Sequence, residues 1–208
     1  MFAKLEPQEL EQLEAAAEVR DLRRGDVLFS EDDESNHLFV VVDGRIAIAK
    51  RSPDNRESVI ALMERGDLFG EMPLFDAKGR SADARALEPS EVLVIPYSVV
   101  RSIFEARPEL LWSVTDMLTS RLRNLDEALA DTMFLDVTGR TAKRLIELAG
   151  TADEFSLPIT QEELAGMVGA SRERVNKAIA SFIRLGWIEQ NERRYRIVDR
   201  TQLERRAT

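Results

Sequence analysis

Short apolar runs alternate with turn residues across residues 21–95 of the chain. Runs rich in Val, Ile and Phe are typical of β-strands, and Gly or Pro next to Asp or Asn predicts the turns between them. The predicted strands are Val27–Phe29, Leu38–Val42, Ile46–Ile48, Val59–Leu62 and Val92–Ile95. The predicted turns are Arg24–Asp26, Asp43–Gly44, Pro53–Asn55 and Arg65–Asp67. Asp43–Gly44 predicts a tight hairpin, and many short strands at this spacing predict a small antiparallel barrel or roll.

Helical periodicity flanks the predicted roll on both sides. Residues 7–18 and 97–104 predict short helices, and Pro108 then begins a long helix that is predicted to reach about Met133. Leucines recur along the long helix at the spacing of a coiled-coil seam: Leu111, Leu118, Leu122, Leu125 and Leu129. This leucine seam predicts dimerisation, although packing against the chain's own roll would use the same spacing.

Two helices joined by a tight turn are predicted over residues 159–187. Thr160 and Glu163 have the spacing of a capping box on the first helix, and Ser171 can cap the second. Gly169 suits the turn, since glycine adopts positive φ without strain. The positions predicted to be buried are Leu164, Ala165, Val168, Val175, Ile179, Phe182 and Ile183. Together these features predict a helix-turn-helix.

The opposite face of the second helix is predicted to be polar. It carries Arg172, Glu173, Arg174, Asn176 and Lys177. A recognition helix places such side chains in the major groove, where arginine pairs with guanine and glutamate accepts from cytosine. The alternative is a solvated face on a small helical domain, but two caps, a turn and this face coincide, which favours double-stranded DNA as the partner. Residues 188–198 predict a hairpin wing whose Arg193, Arg194 and Arg196 could contact phosphates.

Charge separates two parts of this chain of 208 residues with net charge −9. Residues 136–208 hold 13 basic and 11 acidic residues, whereas residues 1–135 carry a net charge of −11. Only the C-terminal part is therefore suited to phosphate contacts, and opposite charges predict separate roles. Asp136 is predicted to cap a helix over residues 137–149, which Gly150 ends.

Composition also excludes several classes of protein. The chain has no cysteine and one histidine, His37, so no metal, haem or iron–sulfur cofactor is expected. An enzyme is the least favoured class, because no Gly-Lys-Ser/Thr phosphate loop appears, and the carboxylates at Glu31–Glu34 suggest a solvated loop. No apolar run has the length of a membrane span or of a signal peptide, so a cytoplasmic location with no membrane partner is expected.

Three motifs in chain order resemble those of the cyclic-AMP receptor protein (Crp/Fnr) family of bacterial transcription regulators, over essentially the full length. They are Phe69–Glu71 followed by Arg80–Ser81, then Phe134–Arg140, then Val168–Val175. The resemblance implies an α+β fold with a cyclic-nucleotide-binding β-roll, jelly-roll-like, over residues 1–106. It further implies a dimerisation helix and hinge over 107–135 and a winged helix-turn-helix DNA-binding domain over 136–208. A homodimer that binds a palindromic TGTGA-like site and contacts RNA polymerase is expected.

The first motif resembles the family's phosphate cassette. The implied nucleotide-binding residues are Gly70, Glu71, Met72, Arg80, Ser81, Arg121, Leu125 and Asp126. Gly70 would let the backbone approach a ligand, Glu71 would accept from a ribose hydroxyl, and Arg80 would neutralise the phosphodiester. Ser81 adds a hydroxyl donor, and an Arg121–Glu71 pair is expected.

Two alternatives stand beside this interpretation. The cassette could be a plain turn in which Arg80 pairs with Asp76 or Asp83. The protein could also be a nucleotide-sensing module whose winged helix contacts protein and not DNA.

The base contacts depart from the family's pattern. Leu125 and Asp126 stand where the family has a Thr-Ser pair that reaches the adenine. Leu125 cannot hydrogen-bond a base, whereas Asp126 could accept once from adenine or twice from guanine. These departures weaken the case for cyclic AMP and favour a guanine nucleotide, but cyclic AMP is expected first because the residues for the phosphate and the ribose are present. The alternatives are cyclic GMP or another guanine nucleotide, and a regulator without a ligand.

On the DNA side the resemblance assigns base contacts to Arg172, Glu173 and Lys177 and a phosphate contact to Thr160. Lys177 stands where the family has an arginine, so the planar fork is lost at that position. The predicted DNA-binding set is Thr160, Ser171, Arg172, Glu173, Arg174, Lys177 and Arg193.

Overall fold

The computed structural model describes residues 2, 4–51, 57–157, 159–192 and 194–208. The predicted turn at Pro53–Asn55 and the wing residue Arg193 lie outside the described residues. The strands are β1 (Glu18–Leu22), β2 (Val27–Phe29), β3 (His37–Asp43), β4 (Ile46–Arg51), β5 (Glu57–Met63), β6 (Leu68–Phe69), β7 (Asp83–Ala86), β8 (Ser90–Pro96), β9 (Glu154–Ser156), β10 (Ile188–Asn191) and β11 (Arg194–Ile197). The helices are α1 (Pro7–Ala16), α2 (Met72–Asp76), α3 (Tyr97–Ala106), α4 (Leu111–Phe134), α5 (Val137–Ala149), α6 (Gln161–Val168), α7 (Arg172–Arg184) and α8 (Arg200–Arg206), with a 3-10 turn at Pro108–Leu110. The predicted α+β class is confirmed.

Two four-stranded sheets form the N-terminal roll, in the orders β1-β8-β3-β6 and β2-β7-β4-β5. Buried side chains of both sheets join one apolar cluster, with Phe39 and Val94 from the first sheet and Ile46 and Ala84 from the second. Because neighbouring residues of a strand point to opposite faces, Leu38 packs on the other side of the first sheet, in a cluster with residues of α1, α3 and α4. The roll therefore has an apolar core between its sheets and a helical layer on one face.

The turn at Asp43–Gly44 does not form the predicted hairpin. The strands that it joins, β3 and β4, lie in different sheets. A Cβ at Gly44 would lie 2.3 Å from Ser90 Oγ and 2.6 Å from the Pro89 carbonyl oxygen, so the turn passes close to the start of β8. The Asp-Gly pair therefore marks a crossing between two sheets, which local turn preference cannot distinguish from a hairpin.

Four strands were not predicted from the sequence pattern. Strands β1, β6, β7 and β9 have two to five residues each, and they lack the apolar runs on which the prediction depends. Their pairing with longer neighbours, as of β1 with β8 over five positions, holds them in the sheets. Helix α8 was also not predicted, because its single buried residue, Leu203, gives no periodic stripe.

The chain divides into two compact units, residues 1–50 with 61–124 and residues 51–60 with 125–208. In the second unit α5, α6 and α7 enclose Leu145, Leu164 and Phe182, each at most 1% exposed. The sheet β10-β11-β9 completes this unit with the hairpin predicted as a wing. The division into functional domains at residues 106 and 135 stays a prediction.

The helix-turn-helix caps form as predicted. Thr160 and Glu163 make both hydrogen bonds of the capping box, with the Thr160 amide donating to Glu163 Oε2 at 2.6 Å and the Glu163 amide to Thr160 Oγ1 at 3.2 Å. Gly169 ends α6 in the left-handed conformation with φ +67°. The Arg174 amide donates to Ser171 Oγ at 3.4 Å, so Ser171 caps α7.

Two side chains of α7 are placed differently from the prediction. Ile183 is 40% exposed, and Ala178 takes its place beside Val175, Ile179 and Phe182 in the buried stripe. Ile183 lies about 100° further round the helix than Phe182, which carries it out of the stripe. Asn176, predicted on the polar face, is half-buried, and its Oδ1 is buried with no hydrogen-bond partner among the described residues.

Asp136 caps α5, as predicted, and accepts a hydrogen bond from the Gly139 amide at 2.8 Å. Arg206 of α8 also donates to this carboxylate. The Gly139 amide, and after it Arg206, hold the pKa of Asp136 below its ordinary value of 3.8. A lowered folded-state pKa means that the stabilisation is present above the ordinary value and is lost as the pH falls through the lower one.

Asp136→Ala is therefore expected to lower the free energy of unfolding by about 1 kcal/mol at neutral pH and to lose this effect in acid. Urea unfolding at neutral and acidic pH measures both quantities. Asp21→Ala, which removes an exposed carboxylate from β1, is the matched control and should leave the stability at neutral pH unchanged. An equal loss in both variants would mean that the cap contributes nothing beyond charge.

Candidate functional site

The Phe69–Glu71 segment makes a sharp corner between β6 and α2, at which Gly70 has φ +73°. A Cβ at Gly70 would lie 2.6 Å from Arg80 Nη1, so a larger residue would push the guanidinium away. Instead, Arg80 Nη1 donates to the Gly70 carbonyl oxygen at 2.7 Å. The two parts of the predicted cassette therefore meet, and the group that approaches the glycine closely is the arginine itself.

Arg80 is 4% exposed and lies in a cage of protein acceptors and rings. Nη2 donates to the His37 carbonyl oxygen at 2.8 Å, and Nη1 also donates to Tyr97 Oη at 3.2 Å. The ring centroid of Phe29 lies 4.1 Å from the guanidinium carbon, within the range of a cation–π interaction. These contacts replace the alternative pairing with Asp76 or Asp83.

Burial lowers the pKa of the Arg80 guanidinium, and the neighbouring Tyr97 acts in the opposite direction. Arginine stays protonated in proteins because its ordinary pKa lies so far above neutrality. Arg80 is therefore a buried cation, and its remaining donors favour an anionic partner.

Two N–H donors on one edge of this guanidinium are not used by any acceptor among the described residues. Nε is buried and has no hydrogen-bond partner among the described residues. Of the five N–H groups of an arginine, both on Nη1 and one on Nη2 are in use, which leaves Nε–H and one N–H of Nη2. An unpaired buried donor costs about 1–3 kcal/mol, and an arginine edge with two donors binds a phosphate in a bidentate way. The site fits the single negative charge of a cyclic phosphodiester.

Glu71 and Arg121 form the predicted pair. Glu71 is 2% exposed, and Arg121 Nη1 donates to its Oε1 at 2.5 Å. Arg121 Nη2 donates to the Leu68 carbonyl oxygen, so the arginine is held against the first residue of β6. A carboxylate has acceptor capacity beyond one such bond, which would allow Glu71 to accept from a ribose hydroxyl.

The remaining cassette residues lie near the surface. Ser81 is exposed, and its hydroxyl donates to Met72 Sδ at 3.3 Å. A thioether is a weak acceptor, so a phosphate oxygen would compete well for this hydroxyl. The backbone of Arg80 pairs with the acidic loop, with its amide donating to the Asp33 carbonyl oxygen at 3.0 Å. The loop at Glu31–Glu34, expected to be merely solvated, thus helps to hold Arg80.

Helix α4 exposes its leucine seam. Leu111 and Leu118 are about 40% exposed, and Leu122, Leu125 and Leu129 are 58%, 62% and 56% exposed. The buried residues of α4 are Ser113 and Val114, which lie off the seam. Asp126 is also exposed, and the base contacts of Leu125 and Asp126 remain predictions.

The predicted base-contacting side chains project from α7 into solvent. Ser171, Arg172, Glu173, Arg174 and Lys177 are all exposed. Thr160 is half-buried at the cap of α6, where its oxygen accepts from Glu163 and its hydroxyl hydrogen is left to donate to a phosphate. Thr160, Arg172 and Glu192 line one cleft of about 280 Å³, so the structure brings α6, α7 and the wing together.

The wing directs two further arginines outward. Along β11, Tyr195 and Ile197 are buried, and the alternate residues Arg194 and Arg196 are exposed. Arg196 lies 3.7 Å from Glu154 and 3.6 Å from Glu189, as long, exposed ion pairs that a phosphate would readily replace.

Arg140 is a structural link that the sequence analysis missed. Its Nη1 donates to the Leu135 carbonyl oxygen at 2.6 Å and its Nε to the Val168 carbonyl oxygen at 2.8 Å. One guanidinium therefore joins the residue after α4 to the last residue of α6. The motif Phe134–Arg140 marked the position, but the acceptors lie on segments 5 and 28 residues away, which spacing alone does not reveal.

Two negative findings concern the described residues. No helix among them is both long and apolar enough to span a bilayer. The same residues contain no group of three or more His, Asp or Glu side chains that could hold a metal ion.

A β-roll whose corner holds a buried arginine, followed by a helix-turn-helix with a wing, is the architecture of a DNA-binding regulator that carries a nucleotide-binding domain. Residues 19–107 match the cyclic nucleotide-binding domain family, and residues 139–206 match the Crp-like helix-turn-helix domain family. The chain belongs to the CRP-like family of transcription regulators.

Known relatives match all or most of the chain. The CRP-like cAMP-activated global transcriptional regulator of Mycobacterium tuberculosis is 36% identical over 214 residues, which cover 100% of this chain and 96% of that protein. The cAMP-activated global transcriptional regulator Vfr of Pseudomonas aeruginosa is 34% identical over 75% of this chain and 78% of its own. The structure of FixK2 from Bradyrhizobium japonicum has a TM-score of 0.84 at 19% identity, covering 92% of this chain and 98% of that one, and shows the shared fold.

Proposed function

We propose that this regulator is a homodimer that binds a palindromic TGTGA-like DNA site under the control of a cyclic nucleotide, with cyclic AMP as the first candidate. The observation that carries the ligand is Arg80, a buried cation whose Nε has no partner among the described residues. Gly70 accepts a hydrogen bond from Arg80, and Glu71 and Ser81 add a carboxylate and a hydroxyl to the same cassette. The relatives named as cAMP-activated support the choice of nucleotide.

The exposed leucine seam supports the homodimer. Five leucines at the spacing of a coiled-coil seam stay 41–62% exposed in the single chain, and a second α4 would cover them. A two-fold protein with one recognition helix per subunit reads a palindrome. The dimer therefore accounts both for the seam and for the form of the proposed site.

Control by the ligand would act through α4. This helix carries Arg121, which holds Glu71, and it continues to the segment where Arg140 binds the Leu135 carbonyl. A ligand shifts an equilibrium between two arrangements only by its difference in affinity for them. We therefore expect the nucleotide to favour the arrangement of α4 in which both recognition helices match their half-sites.

The test is DNA binding measured by fluorescence anisotropy, on a palindromic TGTGA-like duplex and on a scrambled duplex, with no nucleotide, with cyclic AMP and with cyclic GMP. In the presence of cyclic AMP we expect the protein to bind the palindromic duplex tightly and in a salt-dependent way. A response to cyclic GMP alone would identify a guanine nucleotide as the ligand, consistent with the two hydrogen bonds that Asp126 could accept from guanine. Equal binding without nucleotide would indicate a ligand-independent regulator, and no duplex affinity would indicate a protein-interaction module.

Arg172→Ala is expected to weaken binding to the palindromic site by about 10- to 100-fold, because a bidentate arginine–guanine contact contributes about 1–3 kcal/mol. Binding to the scrambled duplex should change much less. The matched control is Arg184→Ala, which removes an exposed arginine from the other end of α7. The same loss on both duplexes, or in both variants, would show that Arg172 contributes general charge and no base contact.

A further inference from the structure

Tyr97 lies at the start of α3, next to the phosphate cassette, and its hydroxyl contacts three groups at once. It donates to the Gly70 carbonyl oxygen, it accepts from Arg80 Nη1 at 3.2 Å, and it lies 2.9 Å from Ser35 Oγ. Because a phenol has one hydrogen, which goes to Gly70, Ser35 must be the donor in the third contact. The hydroxyl is therefore fully used, and its single orientation is defined by three partners.

We infer that Tyr97 is the positioning residue of the phosphate-binding arginine: it fixes Nη1 so that the Nε–Nη2 edge of Arg80 faces the nucleotide's phosphate. The inference rests on the proposed binding of a cyclic nucleotide at this cassette. It adds a residue on α3 to a site whose other members lie on the cassette and on α4.

The placement of Tyr97 is rigid. Its amide donates to the Asn36 carbonyl oxygen at 2.8 Å, and the preceding residue, Pro96, pairs with His37 in the register of β8 and β3. His37 supplies the carbonyl oxygen that binds Arg80 Nη2. The same strand pair therefore positions one acceptor for each of the two terminal nitrogens of the guanidinium.

The tyrosine ring and its hydroxyl have separable roles. The ring belongs to the apolar cluster that contains Leu38, Ile95 and Phe104, whereas the hydroxyl reaches the polar cage of Arg80. Burial raises the pKa of Tyr97, so the group stays a neutral phenol that can donate to Gly70. Tyr97→Phe therefore keeps the packing and removes the contact with the guanidinium.

The chain offers a matched control, since Tyr195 is its one other tyrosine and is also buried. Tyr195→Phe makes the same chemical change in the core of the second unit. Both variants are titrated calorimetrically with cyclic AMP and with the two phosphorothioate diastereomers of cyclic AMP, in which one or the other exocyclic phosphate oxygen is replaced by sulfur. The ratio of the two affinities reports how the arginine edge meets the phosphate, which a general loss of stability would not change.

A second measurement needs no nucleotide. The side-chain N–H signals of Arg80 are observed by ¹⁵N NMR and assigned by their loss in Arg80→Lys. In the wild type, the Nη groups should rotate slowly, because both are held by protein acceptors. In Tyr97→Phe the rotation of Nη1 should become faster.

We expect Tyr97→Phe to weaken cyclic AMP binding about tenfold, to bring the diastereomer ratio towards one, and to speed the rotation of Nη1, with no such change in Tyr195→Phe. If the wild type binds a cyclic nucleotide and Tyr97→Phe keeps the diastereomer ratio, the role of Tyr97 is refuted and the proposed function stands. If the wild type binds no cyclic nucleotide, the proposed ligand is refuted, and with it the phosphate role of Tyr97. The NMR result then decides separately whether Tyr97 orients Arg80, and unchanged Nη rotation in Tyr97→Phe would refute that as well.

Discussion

Arg80→Ala should lower the affinity for the cyclic nucleotide by at least about 100-fold, below detection in a calorimetric titration. The variant removes the buried cation and the two-donor edge that would bind the phosphate. It also removes the hydrogen bonds of 2.7 and 2.8 Å to the Gly70 and His37 carbonyl oxygens, and Gly70 keeps only its bond from Tyr97 Oη. Part of the loss could therefore come from a disturbed corner, and a second variant separates the two causes.

Arg80→Lys provides that separation, because it keeps the charge and loses the planar fork. It should retain the fold, measured by thermal unfolding, and still lose most of the affinity. Arg45→Ala is the matched control: Arg45 pairs with Glu64 at 2.7 Å and with Glu88 at 3.4 Å at the surface of the same unit. Full nucleotide affinity in Arg80→Lys would show that charge alone, and no bidentate contact, holds the phosphate.

Leu122→Lys combined with Leu129→Lys should convert the proposed dimer into a folded monomer and reduce affinity for the proposed palindromic site by more than about 100-fold. Two lysines in each α4 would face one another across the seam, and the apolar area that favours association would be lost. A monomer has one recognition helix and contacts one half-site, so most of the specific affinity disappears. Sedimentation equilibrium gives the mass, and anisotropy gives the DNA affinity.

Folding of the single chain should survive these substitutions, since both leucines are more than half exposed in it. Val19→Lys, at an exposed position of β1, is the control for an added surface charge and should stay dimeric. A double variant with the mass of a dimer would place the interface elsewhere than on the leucine seam. A wild type with the mass of a monomer would remove the two-fold symmetry on which the palindromic site depends.

Much of the helix-turn-helix was predictable because its determinants are local. A capping box needs residues three apart, a helix stop needs one glycine, and a buried stripe needs a period of 3.6 residues. Thr160, Glu163, Gly169 and Ser171 occupy these positions, and the structure has the predicted caps. The predictions for Ile183 and Asn176 were wrong because each residue lies at the margin of its stripe, where contacts with neighbouring elements decide the burial.

The sheets were less predictable because strand pairing is not local. The apolar runs located the longer strands, but Asp43–Gly44 joins two sheets and not one hairpin. Short strands such as β6 and β7 carry almost no pattern of their own and depend on β3 and β4 for pairing. Strand order emerges only when distant segments close a common core.

The sequence by itself determined the class of this protein: a roll, a long leucine-seamed helix and a helix-turn-helix, together with Gly70, Glu71, Arg80 and Arg121 as a candidate site. The roll, the long helix and the helix-turn-helix follow from spacing, caps and residue chemistry, which act within a few residues. The four site residues follow from the resemblance of their motifs to those of a known family. Only the tertiary structure decided what surrounds Arg80, because its acceptors at His37, Gly70 and Tyr97 come from three separate segments. The linking role of Arg140 and the cap contact of Arg206 were decided in the same way, because a long side chain finds its partner through the packing of the whole domain and not through its place in the sequence.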